Sequence, residues 1–186
     1  MTQIKDALLE LNPWWKQEFK IAFKEREIHK KIQKFMPLRQ IIAFTGLRRV
    51  GKTTLMLKII EDAIKKVEPK RVIYFSFDEF KEVEIKAVLN SYEELTETNL
   101  KEGRNLLLLD EVQKVSNWED QLKSIYDLYE KHIKIIVSGS ESLFIRSKSK
   151  ETLAGRIFEF KIEPLSFKEF LSFKEVKFEP VNIYKK

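Results

Sequence analysis

Gly46-Leu-Arg-Arg-Val-Gly-Lys-Thr-Thr54 is the segment to which the rest of the chain is related. It fits G-x-x-x-x-G-K-[ST], a loop whose backbone N–H groups surround the phosphates of a nucleoside triphosphate while the Lys reaches the terminal ones. Its flanks match the motif. Gln40-Ile-Ile-Ala-Phe-Thr45 before it is an apolar, partly β-branched run of strand length. After it, Met56, Ile59, Ile60, Ala63, Ile64 and Val67 recur at helical spacing. Strand, glycine loop and helix in that order turn the unpaired N–H groups of a helix start toward an anion. Gly46, Val50, Gly51, Lys52, Thr53 and Thr54 are therefore the candidate nucleotide contacts.

Working outward, 186 residues with 43% hydrophobic content suffice for a domain of ordinary size with a substantial core. The absence of Cys excludes disulfides and thiolate metal sites and suits a reducing compartment. The longest apolar runs are too short to span a bilayer, and Met1-Thr-Gln-Ile-Lys-Asp6 lacks the apolar stretch of a signal peptide. A cytoplasmic location without membrane contact is expected. The net charge of +6 has two readings, a solvated surface of mixed charge or a footprint for nucleic acid.

Ile4, Ala7, Leu8 and Leu11 predict a short amphipathic helix that stops at Asn12-Pro13. Trp14, Trp15, Phe19, Phe23, Ile28, Ile32 and Phe35 then suggest a second helical stretch interleaved with Lys and Arg. Its aromatics suit either packing on the core or stacking on a nucleic acid strand. Phe35-Met-Pro-Leu38, leading into the first strand, are candidate contacts to the nucleobase. Further strands are expected at Arg71 to Phe77, Asn105 to Leu109, Ile133 to Val137 and Ile157 to Ile162, with helices between them. Asn117 is placed to cap the helix carrying Trp118, Leu122, Ile125, Tyr126 and Tyr129. Ser166 and Glu169 form a capping box for a terminal helix, with Leu165 and Phe170 as its hydrophobic staple. Such alternation implies an α/β fold, a parallel sheet covered by helices on both faces. The chain divides into a helical lead over 1–38, an α/β core over 39–164 and the beginning of a lid over 165–186.

A second motif, Leu106-Leu-Leu-Leu-Asp-Glu111, puts a carboxylate pair at the carboxyl end of a buried strand, where open α/β sheets bind ligands. Mg²⁺ takes oxygen ligands and keeps several waters, so Asp110, the Thr53 hydroxyl and the phosphates make a sufficient site. Glu111, one residue further out, is the natural group to orient or deprotonate an attacking water. Of five glycines, Gly139 lies in Val137-Ser-Gly-Ser140 after the fourth strand and Gly155 in Leu153-Ala-Gly-Arg156 before the fifth. Ser140, with Ser138 in reserve, is a candidate donor to the terminal phosphate or the water. Arg156 is a candidate transition-state cation, in cis or for a neighbouring subunit. Turn chemistry and a surface ion pair are the plainer readings of these two positions. Arg48 and Arg49 are read as facing solvent, a partner or nucleic acid.

Gly-Leu-Arg-Arg-Val-Gly-Lys-Thr-Thr, Leu-Leu-Leu-Leu-Asp-Glu-Val-Gln, Val-Ser-Gly-Ser, Ala-Gly-Arg and Pro-Leu-Ser-Phe-Lys-Glu-Phe, in this order, resemble the archaeal and bacterial AAA+ superfamily ATPases, specifically the predicted-ATPase group close to the STAND NTPases. The Asn12-Pro-Trp-Trp15 lead is similar to that group too, and the likeness runs from about Asn12 to Leu171. It implies a P-loop (ASCE) three-layer sandwich with five parallel strands in the order 5-1-4-3-2. It also implies ATP and Mg²⁺ as ligands, Lys52 and Thr53 on phosphate and metal, Asp110 on the metal and Glu111 as catalytic carboxylate. Ser140 then matches the sensor 1 position and Arg156 the arginine-finger region. Members of that group continue into a helical lid and commonly a winged helix, whereas this sequence stops at Lys186, so a sensor 2 arginine is not assignable.

Together these residues point to an Mg²⁺-dependent module that binds and hydrolyses ATP and couples nucleotide state to conformational change. One alternative is an ATP-gated switch or scaffold without turnover, acting on nucleic acid, such as DNA, or on a partner protein. The hydrolysing module would be a homo-oligomer if Arg156 works in trans. Another is a small-molecule kinase, for which Arg146 and Arg156 are the only Arg residues after the fourth strand.

Overall fold

The structure, a computed structural model, describes residues 2–80, 82–140, 143 and 151–175. Five strands form one parallel sheet: β1 (Ile41–Thr45), β2 (Val72–Ser76), β3 (Asn105–Asp110), β4 (Ile133–Ser138) and β5 (Ile157–Lys161). Their order across the sheet is β2-β3-β4-β1-β5, which is the expected 5-1-4-3-2 read from the other edge. Every residue of β1 and β3 is buried, as a central strand covered on both faces requires. The register sets Ala43 against Val137 and Glu159, and Leu109 against Val137 and Phe75.

Helices α1 (Thr2–Leu11), α4 (Ile85–Thr96) and α5 (Trp118–Tyr129) pack on one face, where Phe75, Leu107, Leu109 and Val137 meet Val88, Tyr92 and Leu122. Helices α2 (Glu27–Gln33) and α3 (Lys52–Ala63) cover the other, where Phe44, Leu108 and Ile136 meet Met56, Ile59 and Ile32. The last helix among the described residues, α6 (Phe167–Phe173), has the expected capping box: Ser166 Oγ accepts from Glu169 N, and the Glu169 side chain accepts from Ser166 N. Leu165 and Phe170, the expected staple, remain partly exposed at 38% and 46%.

Several expectations need correction. The stretch from Trp14 to Phe35 is not one helix. A single turn at Pro13–Trp15 is followed by an extended segment, and α2 begins only at Glu27. Between Glu18 and Lys24 the half-buried Phe19, Ile21 and Phe23 alternate with exposed neighbours, a period of two that fits extended chain. Trp14 is 3% exposed, and Phe19 packs edge-on against it at 5.0 Å, so the aromatics serve the core rather than a stacking platform. Asn117 starts α5 in a left-handed conformation without a side-chain cap. Phe35 packs edge-on against Phe158 and Phe160, and Lys134 donates to the carbonyls of Phe35, Leu38 and Gln40. That fastens 35–40 to the amino end of β1, the far end of the strand from the glycine loop, so Phe35 to Leu38 do not line a nucleobase site there. Arg146 lies outside the described residues.

The Asn12-Pro-Trp-Trp15 lead has a use the sequence did not disclose. β2 is an edge strand, and its outward polar groups would otherwise go unpaired. Asn12, 1% exposed, donates Nδ2 to Tyr74 O at 2.9 Å and accepts Tyr74 N–H on Oδ1 at 2.7 Å. Both indole N–H groups, of Trp14 and Trp15, donate to Val72 O at 2.9 Å.

Candidate functional site

The glycine loop leaves β1 at Gly46, whose φ is +146°, and a Cβ there would stand 2.4 Å from Ile162 O. Only glycine lets the loop pass so close to the chain leaving β5. Arg49 (φ 64°) and Gly51 (φ 95°) complete the curl, and α3 begins at once at Lys52. A twelve-residue helix thus points its free N–H groups into the loop. Lys52, 6% exposed, folds its ammonium over the loop and donates to Gly46 O at 3.1 Å and Leu47 O at 2.9 Å.

Across this helix start stands the end of β3. Thr53 Oγ1 donates to Asp110 Oδ2 at 2.7 Å, joining two motifs 57 residues apart in sequence. Asp110 is 3% exposed and compensated by further donors: Tyr74 OH on Oδ2 at 2.9 Å, Glu111 N on Oδ1 at 3.1 Å, and the Ser138 hydroxyl on Oδ1. Burial first, then the charge of Asp110, pushes the Tyr74 phenol far above its ordinary range, so it remains a donor. Two ligands adjacent on an Mg²⁺ octahedron lie about 2.9 Å apart. The oxygen pair of Thr53 and Asp110 has that spacing and chemistry, so these residues fit the ion.

Glu111 follows in a left-handed conformation, φ 56°. Its N–H also reaches Ser138 Oγ at 3.3 Å, and its carboxylate accepts from Gln113 Nε2 at 2.6 Å. Among the sequence candidates, Gly46, Val50, Gly51, Lys52, Thr53, Thr54, Asp110 and Glu111 therefore gather at the carboxyl edge of the sheet. Ser138, the reserve candidate, is the serine bonded to Asp110, while Ser140 lies two residues further along and accepts Leu143 N–H on its carbonyl. Arg156 does not join them. It precedes β5 at the opposite edge, its carbonyl accepting from Ile41 N, with its guanidinium 3.6 Å from Asp127. Five residues of strand put it about 16 Å from the loop, beyond a side chain's reach, so an action in cis is ruled out.

Three participants were missed from sequence. Tyr74 and Gln113 are two; a polar tip within an apolar strand was the available signal for the first. The third is Arg26, which donates to Val50 O and Glu163 O at 2.9 Å and pairs with Glu169 at 3.2 Å, tying the lead, the glycine loop and α6 together. Beside it, Phe23, Val50, Thr54, Leu165 and Phe173 line a cavity of about 300 Å³ adjoining the loop. No periodic signal marked it, because its walls come from three separate parts of the chain. Among the described residues no helix is long and apolar enough to cross a membrane.

Comparison with known proteins agrees with this geometry. A family model described as an AAA domain matches residues 38–171. The chain is 39% identical over 157 residues to the uncharacterized protein MJ1637 of Methanocaldococcus jannaschii, covering 82% of this chain and 32% of that protein. It is 32% identical over 160 residues to MJ1544 of the same organism, covering 83% of this chain and 33% of the relative. An uncharacterized protein of Haemophilus influenzae is 27% identical over 152 residues, covering 75% and 37%. The chain thus spans about a third of the length of the curated relatives it matches. Among solved structures, a DNA polymerase III gamma subunit-related protein of Thermotoga maritima superposes with a TM-score of 0.52 at 10% identity, covering 77% of this chain and 48% of that one, a likeness of fold.

Proposed function

The chain belongs to the AAA domain family, and from that premise we propose that it is an Mg²⁺-dependent ATPase module whose nucleotide state drives a conformational change. The observation that carries this reading is the 2.7 Å bond between Thr53 and Asp110, which joins the phosphate loop to the carboxylate pair. Mg²⁺, held by Thr53 and Asp110 with the phosphates, would neutralise charge developing on the phosphoryl oxygens. Lys52 leaves the two loop carbonyls for the terminal phosphates, exchanging neutral acceptors for charged ones. The N–H groups of the loop and of α3 bind the phosphate oxygens. Glu111 orients a water and takes its proton as the water oxygen bonds the γ-phosphorus and the bond to the bridging oxygen breaks, giving ADP and phosphate.

The base occupies the cavity beside Phe23, Val50, Thr54, Leu165 and Phe173. Because Arg26 links the loop to α6 through Glu169, nucleotide in that cavity is placed to shift α6 and the lid it begins. Ser140 remains a candidate phosphate sensor and Arg156 a candidate finger for a neighbouring subunit. The test is phosphate release from Mg-ATP by the parent and by Glu111→Gln, with ATP binding measured for both. Binding by both and turnover by the parent alone is the expected result. Binding without turnover by either would leave a nucleotide-gated switch.

The charge distribution favours a second reading, in which the client of the module is nucleic acid. The described segments entering the strands, 34–40, 64–71, 97–104, 130–132 and 151–156, hold ten Lys and Arg against five Glu, whereas acidic residues outnumber basic ones over the rest of the described residues. They gather at the amino edge of the sheet, opposite the glycine loop. There exposed Arg104 and Lys131 border a cleft of about 580 Å³.

A further inference from the structure

Among the described residues, Gln113 Oε1 is the buried side-chain atom that has no hydrogen-bond partner. Buried polar atoms are paired in most folded proteins, and an exception asks for a reason. The orientation of this amide is dictated by Glu111. Nε2 donates to Glu111 Oε2 at 2.6 Å, and turning the amide over would set Oε1 against a carboxylate oxygen. Oε1 then comes to rest above the backbone after β4. A Cβ on Gly139 would be 2.6 Å from it and 2.9 Å from Leu143 Cδ1. Gly139, which the sequence offered as a turn residue, has a negative φ, and the Gln113 amide rests in the space that a side chain there would take.

Glu111 is anchored from both ends. Its N–H is held by Asp110 Oδ1 and Ser138 Oγ, and Gln113 holds its carboxylate. A hydrogen bond to a charged acceptor is roughly twice as strong as a neutral one, which offsets the unpaired oxygen on the same amide. The side chain is thus placed to suit Glu111 at the expense of its own pairing.

We propose that Gln113 is the positioning residue of the water-activating carboxylate. By fixing Oε2 of Glu111 it turns the other carboxylate oxygen toward the attacking water. Gln113 touches neither nucleotide nor water and acts only through Glu111. This role rests on the reading of Glu111 as the group that takes the water's proton.

The experiment measures kcat and KM for phosphate release, together with ATP affinity, for the 186-residue chain and its Gln113→Leu, Gln113→Met, Glu111→Gln and Glu111→Gln/Gln113→Leu variants. Leu and Met keep the bulk above Gly139 and remove the donor. Both single variants should bind ATP within about twofold of the parent while kcat falls roughly 10- to 100-fold, a portion of the 10²–10⁴ that a general base supplies. KM should stay near the parent value. The double variant should be no slower than Glu111→Gln alone, because the two residues work as a unit. Thermal unfolding with and without Mg-ATP identifies a Leu variant that has not folded, in which case the Met variant decides. Parent turnover in the Gln113 variants, or an independent further loss in the double variant, overturns the positioning role and leaves the ATPase reading standing. A parent that binds ATP and releases no phosphate overturns that reading itself, and the role with it.

Discussion

At the scale of the residue, Gly46 and Asp110 do the most to make a nucleotide site possible. Gly46 sits where no side chain fits, 2.4 Å from a backbone carbonyl, and at a positive φ that side chains resist. Gly46→Ala should cost about 2 kcal/mol of stability and lower ATP affinity at least about tenfold, because neither the loop nor the chain after β5 can yield without moving backbone. Urea unfolding and titration with a fluorescent ATP analogue check both parts. Asp110 shows the complementary logic. A carboxylate 3% exposed is tolerable because four donors converge on it. It is therefore aimed before any ligand arrives.

At the scale of the element, the lead before β1 does two jobs that helical periodicity did not foresee. Asn12, Trp14 and Trp15 close the edge of β2 by occupying Val72 O and both backbone polar groups of Tyr74. Asn12→Ala would leave two buried backbone groups unpaired, and urea unfolding should register a loss of about 3 kcal/mol. The extended segment that follows carries Arg26 to the glycine loop and α6. For Glu169, burial works against the charged form. The hydrogen bond from Arg26, the Ser166 groups and the Arg26 charge outweigh it and hold the carboxyl below the usual carboxylate range. A group whose pKa falls on folding stabilises above its unfolded value, near about 4.3, and that contribution disappears as pH drops through the folded value. Unfolding measured from pH 7 downward should show the parent losing this increment in acid. Glu169→Gln should be less stable at pH 7 and lack that part of the acid dependence.

At the scale of the whole molecule, the parallel sheet separates two chemistries. The carboxyl ends of the strands collect the glycine loop, Asp110 and Glu111, whereas the described segments at the amino ends hold ten Lys and Arg against five Glu. If the amino edge engages nucleic acid, Arg104→Glu with Lys131→Glu should weaken binding to duplex DNA and flatten its salt dependence by about two contacts' worth, about 0.9 per phosphate in log–log slope. Phosphate release without DNA should be unchanged, since both residues lie a strand length from the loop. Binding that is insensitive to the double reversal would show that this edge is not the contact.

Local sequence pattern was enough to place the five strands, most of the helices between them, the phosphate loop, and the Asp110-Glu111 pair at the end of a buried strand. Those features are local: a loop that needs glycine at set spacing, a run of leucines that must be covered on both faces, and a helix whose apolar period is read within a dozen residues. The meeting of Thr53 and Asp110 was expected from their motifs, but only the assembled sheet showed that Ser138 is the serine bonded to that carboxylate and that Arg156 stands at the opposite edge from the loop. It also revealed Tyr74, Gln113 and Arg26, and turned the aromatic stretch after Trp14 from a helix into an extended strap. Each of these depends on which segments lie side by side, and in a parallel sheet neighbouring strands are dozens of residues apart in the chain. A local pattern carries no record of that distance, so side chains meeting across strands become visible only when the sheet is assembled.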